Sequence, residues 1–132
     1  MEKRRKNQIA LLVLRYKLRR EGLFFETNLG ERIVGAAKEM KIPSGEALEF
    51  AEVIYQELLN HALGTNNYVP KMDEGRMGEI AYLYLQWIGR KDGVRLKADL
   101  RRSAGTTAKD IGISTDEMVD FIKALIKDAF EL

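Results

Sequence analysis

The residues best suited to bind a ligand are lysines and arginines that occur in two clusters, each placed after an apolar, helix-forming segment. Guanidinium and ammonium groups grouped in this way can hold the phosphate oxygens of a nucleic-acid backbone. We call these clusters the basic corners. The candidate phosphate-binding residues are Lys17, Arg19 and Arg20 in the first corner, and Arg90, Lys91, Arg95, Lys97, Arg101 and Arg102 in the second.

The same clusters have a second interpretation. Cations near the C-terminal end of a helix interact favourably with the helix dipole whatever the function. The formal net charge is only +2, and each half of the chain is basic early and acidic late. Basic surfaces on one chain can therefore meet acidic helices on another. The sequence thus favours a small non-enzymatic nucleic-acid-binding protein contacting DNA or RNA, with a protein-interaction or self-assembly module, including a homo-oligomer, as the alternative.

The chain offers little for catalysis, and we expect no enzymatic activity. It has no cysteine, which excludes thiolate metal sites and disulfides. Its single histidine, His61, falls near a predicted helix end, where it can interact with the dipole. The sequence contains no phosphate-binding glycine loop, paired-histidine metal motif or serine elbow. We expect neither a catalytic residue, a metal site, a cofactor nor a small-molecule substrate.

A shift of 71 positions aligns residues 9–61 with 80–132 without a gap, and 12 of the 53 pairs are identical. Chance identity at about one in fifteen gives three or four. The sequence therefore predicts a tandem duplication, which explains why the basic corners occur twice. The identical pairs include Ile9/Ile80, Leu12/Leu83, Arg19/Arg90, Glu46/Glu117 and Phe50/Phe121.

Apolar periodicity and capping residues predict three helices in each half. In both halves a glycine, Gly22 or Gly93, is placed to stop the first helix with a positive φ. Asn28 and Ser44 are expected to cap the second and third helices, after an extended connection at 23–27. The predicted helices are Lys3 to Arg20, Leu29 to Met40 and Ser44 to Leu63, then Asp73 to Gly89, Leu100 to Ile111, and a last helix capped by Ser114 or Thr115 that runs to the end.

These elements predict an all-α fold of six helices. Residues 1–61 form the first three-helix repeat, 62–71 a linker and 72–132 the second repeat. A unit of about 60 residues buries too little surface to be stable alone. We therefore expect the two repeats to share one core as a pseudo-twofold domain, packed through their apolar first helices.

The segment Ala108 to Ser114, followed by Met118, Val119 and Ile122, resembles the helix-turn-helix pattern of DNA-binding proteins. The resemblance implies two helices joined by a tight turn at Gly112, and a similar pair in the first repeat. The second helix of the pair begins with Asp116 and Glu117 and continues to Asp120. Carboxylates there would repel phosphate, so the resemblance is one of shape and not of docking mode.

The longest apolar runs, residues 9–14 and 80–85, are far shorter than the roughly 18 residues that a membrane span requires. The basic residues at 15, 17, 19 and 20 interrupt the first run, unlike a signal peptide. Together with the absence of cysteine, these features lead us to expect a cytoplasmic protein with no membrane partner.

Overall fold

The computed structural model describes residues 1–21, 25–65, 69–92 and 100–130, with the backbone alone for 21, 25–29, 92 and 100–103. This part of the chain is all helical and contains no strand, which confirms the all-α prediction. Its helices are α1 (Lys3–Glu21), α2 (Phe25–Met40), α3 (Ser44–Leu63), α4 (Glu74–Asp92), α5 (Leu100–Ile111) and α6 (Thr115–Phe130).

Helices α1 and α4 pack against each other in opposite directions. Lys6 lies over the ring of Tyr82, with Nζ 5.3 Å from the centroid. Further along α1, the side chain of Arg15 reaches Glu74, with 2.8 Å between Nη2 and Oε1. Increasing residue numbers along α1 therefore meet decreasing residue numbers along α4, so the two helices are antiparallel.

The closest approach of the two helices is at Asn7 and Gly78. A Cβ atom added at Gly78 would lie 2.8 Å from the carbonyl oxygen of Asn7, so only glycine fits there without a shift. The apolar residues of both helices form the centre of the core: Ile9, Ala10, Leu14, Met77, Ile80 and Ala81 are each at most 1% exposed. The other helices pack around this pair.

Helices α2 and α3 are joined by a tight turn, and so are α5 and α6. The turn residues Lys41 and Gly112 are 71 positions apart and both have positive φ, 60° and 81°. The next residue in each turn donates its N–H to a helix carbonyl: Ile42 to Ala37 at 3.0 Å, and Ile113 to Ala108 at 2.9 Å. The two turns thus have the same backbone hydrogen bond at positions related by the 71-residue shift.

The predicted start of α2 and the predicted cap of α3 were wrong. Helix α2 begins at Phe25, so residues 25–27 are helical and Asn28 is not its N-cap. Each residue added to an existing helix gains a backbone hydrogen bond, and none of these three residues is a helix breaker. Helix α3 is preceded by Pro43 as the N-cap, with no side-chain cap hydrogen bond, and Ser44 is its first residue. The φ to which proline is restricted is compatible with the extended backbone of this cap position.

The end of α4 also differs from the prediction, because the helix continues past Gly89 to Asp92. A glycine within a helix costs about 1 kcal/mol, and Arg90 and Lys91 in the last turn offset this through the helix dipole. The expected positive φ of Gly22 and Gly93 lies outside the described residues. So does Asp99, the cap expected in the second half because it aligns with Asn28 under the 71-residue shift. The predicted cap Ser114 is confirmed, since its Oγ accepts the N–H of Glu117 at 3.1 Å.

No described helix has both the length and the apolar composition that crossing a membrane requires.

Candidate nucleic-acid interface

One side of the α1/α4 pair faces away from the core and carries a helical stripe from each helix. Successive members of each stripe are three or four residues apart and so lie on one face. We call this surface the seam face. Its stripes are Arg4, Gln8, Leu12, Arg15 and Arg19 on α1, and Gly75, Glu79, Leu83, Gln86 and Arg90 on α4.

The antiparallel packing separates the two basic corners. Arg19 and Arg90 each lie twelve residues beyond the closest approach at Asn7 and Gly78, in opposite directions. At a rise of 1.5 Å per residue, their backbones are about 36 Å apart along the pair. Both residues are exposed and belong to the stripes of the seam face. The corners are therefore at opposite ends of one surface and are not side by side.

The described side chains of the corners also lie beside other helices. Arg19 lines a cavity of about 290 Å³ with residues of α3, and Arg90 lines one of about 600 Å³ with residues of α2 and α6. Lys17 and Arg20 line a cavity of about 410 Å³ with Thr107 of α5. Arg20 is also 5.7 Å from the ring of Tyr16, and its Nη1 donates to that hydroxyl at 3.3 Å. Lys91 is 3.6 Å from the Glu39 carboxylate of α2. Arg20 and Lys91 are thus partly committed within the protein.

The second corner extends beyond the described side chains. Arg101 and Arg102 are in α5, where only the backbone is described, and Arg95 and Lys97 lie outside the described residues.

An aromatic residue near each corner donates a hydrogen bond to an acid of the other half. The Tyr16 hydroxyl donates to Asp110 Oδ2 at 2.8 Å. The indole Nε1 of Trp87 donates to Glu39 Oε2. Tyr16 and Trp87 are related by the 71-residue shift, and so are Glu39 and Asp110. Each contact joins the first helix of one half to the second helix of the other.

Two ion pairs cross between the halves in the same reciprocal manner. Arg5 Nε donates to Glu117 Oε2 at 2.8 Å, and Arg76 Nε donates to Glu46 Oε2 at 3.0 Å. The hydrogen bond from each arginine, opposed by a smaller effect of burial, lowers the pKa of the glutamate below its usual value. In each pair the arginine contacts both carboxylate oxygens and so offsets the charge of its glutamate. All four residues are half-exposed.

A groove of about 840 Å³ follows the middle of the seam face, and we call it the seam groove. Its wall on α4 is low at the exposed Gly75, which has no side chain, and Leu11 and Leu12 lie on its α1 side. The charged residues that line it are Lys3, Arg4, Arg5 and Arg15 from α1, and Glu74 and Glu79 from α4.

Most charges of the groove already have partners in the protein. Arg15 pairs with Glu57 and Glu74, each at 2.8 Å, and Glu79 pairs with Arg76 at 2.8 Å. Lys3 and Arg4 are exposed, and no ion pair to either is found among the described side chains. Arg15 and Arg76 are each shared by two glutamates, so Glu74 and Glu79 offset the positive charge of Lys3 and Arg4 within the groove.

Sequence reasoning counted Lys3 and Arg4 among the basic residues but did not place them in the candidate site. The available signal was the register: position 4 begins a stripe whose next members, 8, 12, 15 and 19, follow at successive intervals of three or four residues. That stripe matches 75, 79, 83, 86 and 90 under the 71-residue shift. What the sequence did not reveal was the antiparallel packing that brings the start of α1 onto the same face as Arg90.

The helix-turn-helix-like pair of the second half is unsuited to phosphate. Asp116 and Asp120 are exposed on α6, and Glu117 is held by Arg5. Asp116, Glu117 and Asp120 line one shallow cavity of about 740 Å³. Carboxylates at the start of α6 interact well with its dipole and repel a nucleic-acid backbone.

Tyr82, Asp128 and Lys6 form one small, partly buried structural cluster. The Tyr82 hydroxyl donates to Asp128 Oδ2 at 2.6 Å, and Lys6 Nζ lies 2.9 Å from the same oxygen. The bond from Tyr82, then that from Lys6, lowers the pKa of Asp128, while burial and the nearby carboxylate raise the pKa of Tyr82. His61 is exposed in the last turn of α3. Among the residues described, no group of three or more histidine or acidic side chains is placed to hold a metal ion.

Comparison of the chain with protein-family models, curated proteins and solved structures found no match.

Proposed function

We propose that this protein binds the phosphate backbone of nucleic acid along the seam face and catalyses no reaction. The observation that carries the proposal is the position of Arg19 and Arg90. They are exposed on one surface, at opposite ends of an antiparallel helix pair, about 36 Å apart at 1.5 Å per residue. Successive turns of a DNA duplex are about 34–36 Å apart.

In a duplex lying along the seam face, the phosphate backbone faces the protein once per helical turn, and cations are present at each of these points. Arg90 contacts one turn and Arg19 the next, and Lys3 and Arg4 lie between them, nearer to Arg90. All four side chains are exposed. Contacts to phosphate fix position without reading sequence, so we expect little discrimination between base sequences.

The equivalent positions of Arg19 and Arg90 follow from a second inference. We infer that residues 9–61 and 80–132 are copies of one ancestral unit related by a pseudo-twofold axis. The reciprocal contacts Arg5 to Glu117 and Arg76 to Glu46 support it, because the shift of 71 exchanges one pair for the other. The matched turns at Lys41 and Gly112 support it as well. An axis of this kind near Asn7 and Gly78 makes Arg19 and Arg90 equivalent.

The test measures binding of labelled duplex by fluorescence anisotropy as salt is varied. Four phosphate contacts give a slope of log Kobs against log salt of about −3 to −4. A duplex of about 16 base pairs spans both ends. One of about 6 base pairs, roughly 20 Å long, cannot reach both Arg19 and Arg90 and makes at most three of the four contacts, so its slope should fall to about −2 to −3. Reversing both arginines, Arg19→Glu with Arg90→Glu, should abolish binding at about 50 mM salt, where non-specific contacts are strong.

The matched control reverses Lys38 and Lys109, which are related by the 71-residue shift, exposed, and located on α2 and α5 outside the seam face. It changes the net charge equally and should leave the slope nearly unaltered. Equal weakening by both double variants would mean that net charge alone drives binding. No measurable affinity of the wild-type protein for DNA or RNA at about 50 mM salt would refute the proposal.

A protein-interaction or self-assembly module is the second candidate, favoured by the exposed acids Glu49 and Glu52 on α3 and Asp120 on α6. These acids lie away from the seam face, so the acidic surface of one copy can meet the basic surface of another. Light scattering at matched protein concentrations should then detect oligomers that dissociate as salt rises.

A further inference from the structure

The cavity at the Arg19 end of the seam face also contains the single histidine of the chain, His61. It has a volume of about 290 Å³ and lies beside α1 and the end of α3. Arg19 and His61 are both exposed, so a ligand that approaches this end of the seam face can contact them together. The residues that line the cavity are Arg15, Arg19, Glu57, Asn60, His61, Thr65 and Pro70.

The charges around this cavity balance when the histidine is neutral. Arg15 of α1 is shared by Glu57 of α3 and Glu74 of α4, with 2.8 Å to each carboxylate. Arg19 has no ion-pair partner among the described side chains. Two cations therefore face two acids, and a proton added to His61 gives this end of the seam face one net positive charge.

Histidine ordinarily gains or loses its proton between about pH 5 and 8, whereas arginine and glutamate ordinarily keep their charges there. A protonated imidazole has two N–H groups that can donate to phosphate oxygens. His61 lies in the last turn of α3, where the helix dipole favours a cation. A change of pH in this range therefore adds a cation beside Arg19 and leaves the ion pairs of Arg15 in place.

From these features we infer that the cavity binds one backbone phosphate of a nucleic-acid duplex between Arg19 and protonated His61, so that duplex binding strengthens as pH falls. This inference rests on the proposed function, to which it adds a fifth phosphate contact. Under the 71-residue shift the counterpart of His61 is the apolar Leu132, so the added contact belongs to the Arg19 end alone.

The test measures binding of the labelled duplex of about 16 base pairs to the full-length protein by fluorescence anisotropy. At about 100 mM salt, we expect wild type to bind about three- to tenfold more tightly at about pH 5.5 than at about pH 7. The slope of log Kobs against log salt should become more negative by about 0.9, the value for one more phosphate contact. His61→Gln should bind equally at both pH values. His61→Arg, whose charge is permanent, should bind at about pH 7 as tightly as wild type does at about pH 5.5.

The matched control moves the histidine to the other side of the same helix. Leu48 is exposed on α3, thirteen residues before His61, and so lies about 140° around the helix from it at 3.6 residues per turn. The double variant His61→Gln with Leu48→His keeps one histidine in the protein but removes it from the cavity. We expect this variant to bind no more tightly at the lower pH.

The inference is overturned if His61→Gln keeps the pH dependence of wild type, or if the histidine at position 48 restores it, since net charge would then be the cause. It is also overturned if wild type binds the duplex equally at both pH values, a result that leaves the proposed function standing. If no duplex binds at either pH at about 50 mM salt, the proposed function fails and this inference fails with it.

Discussion

Replacing Gly78 by alanine tests the closest contact of the fold, the approach of α1 to α4. The added Cβ would lie 2.8 Å from the carbonyl oxygen, 3.0 Å from the carbonyl carbon and 3.1 Å from Cβ of Asn7. Ordinary carbon–oxygen contacts are about 3.3–3.6 Å, so the two helices must separate by about 0.5 Å. Overpacking of this kind costs about 1–3 kcal/mol, whereas alanine for glycine within a helix gains about 1 kcal/mol. We expect a net loss of stability of about 1 kcal/mol.

Gly35→Ala isolates the packing contribution. Gly35 is within α2, is exposed, and has no atom within 4 Å of an added Cβ, so only the gain in helix propensity remains. Urea unfolding of both variants should show Gly35→Ala more stable than wild type by about 0.5–1 kcal/mol. The two variants should differ by about 2 kcal/mol, the overpacking cost. Equal stabilisation by both alanines would refute the close approach of α1 and α4 at this point.

Two further predictions concern the turn at Lys41 and the half-buried acid Asp128. At Lys41, whose φ is 60°, the Lys41→Gly variant should be more stable than Lys41→Ala by about 1 kcal/mol in thermal unfolding, because both lose the charge and only glycine adopts this φ without strain. The pKa of Asp128 is lowered by Tyr82 and then by Lys6, so its ionised form stabilises the fold above the unfolded pKa of about 3.9, and this stability is lost as pH falls through the lower folded pKa. Asp128→Asn should therefore be destabilised at pH 7, and its difference from wild type in melting temperature should shrink towards about pH 3; a constant difference would count against this assignment.

The helices could be read from the sequence because their signals are local. Apolar spacing at Ala47, Phe50 and Ile54 predicted α3, and the hydroxyl of Ser114 marked the start of α6, where it accepts the N–H of Glu117. The start of α2 could not be read in the same way, since Asn28 has a strong capping tendency that a favourable helix extension overrides. A local preference of this size, about 1 kcal/mol, is easily outweighed by a few additional backbone bonds.

The candidate site was predicted in composition but not in arrangement. The sequence identified Arg19 and Arg90 as equivalent cations, yet it carried no information about the direction in which α1 and α4 pack. That direction follows from contacts between residues distant in the chain, such as Asn7 with Gly78. Only this packing shows that Arg4 shares a face with Arg90, and that Arg20 does not point along the same stripe.

Trp87 is the only tryptophan of the chain, and its position gives the protein a built-in optical reporter. Its indole is hydrogen bonded to Glu39 of α2, stacks on Tyr84 at 6.1 Å between ring centroids, and has the guanidinium of Arg32 at 5.6 Å. The ring therefore sits where the second helix of the first half docks on the first helix of the second half. Its emission during refolding reports the docking of α2 against α4 through Glu39 and Arg32, in addition to the stacking on Tyr84 that forms within α4 itself.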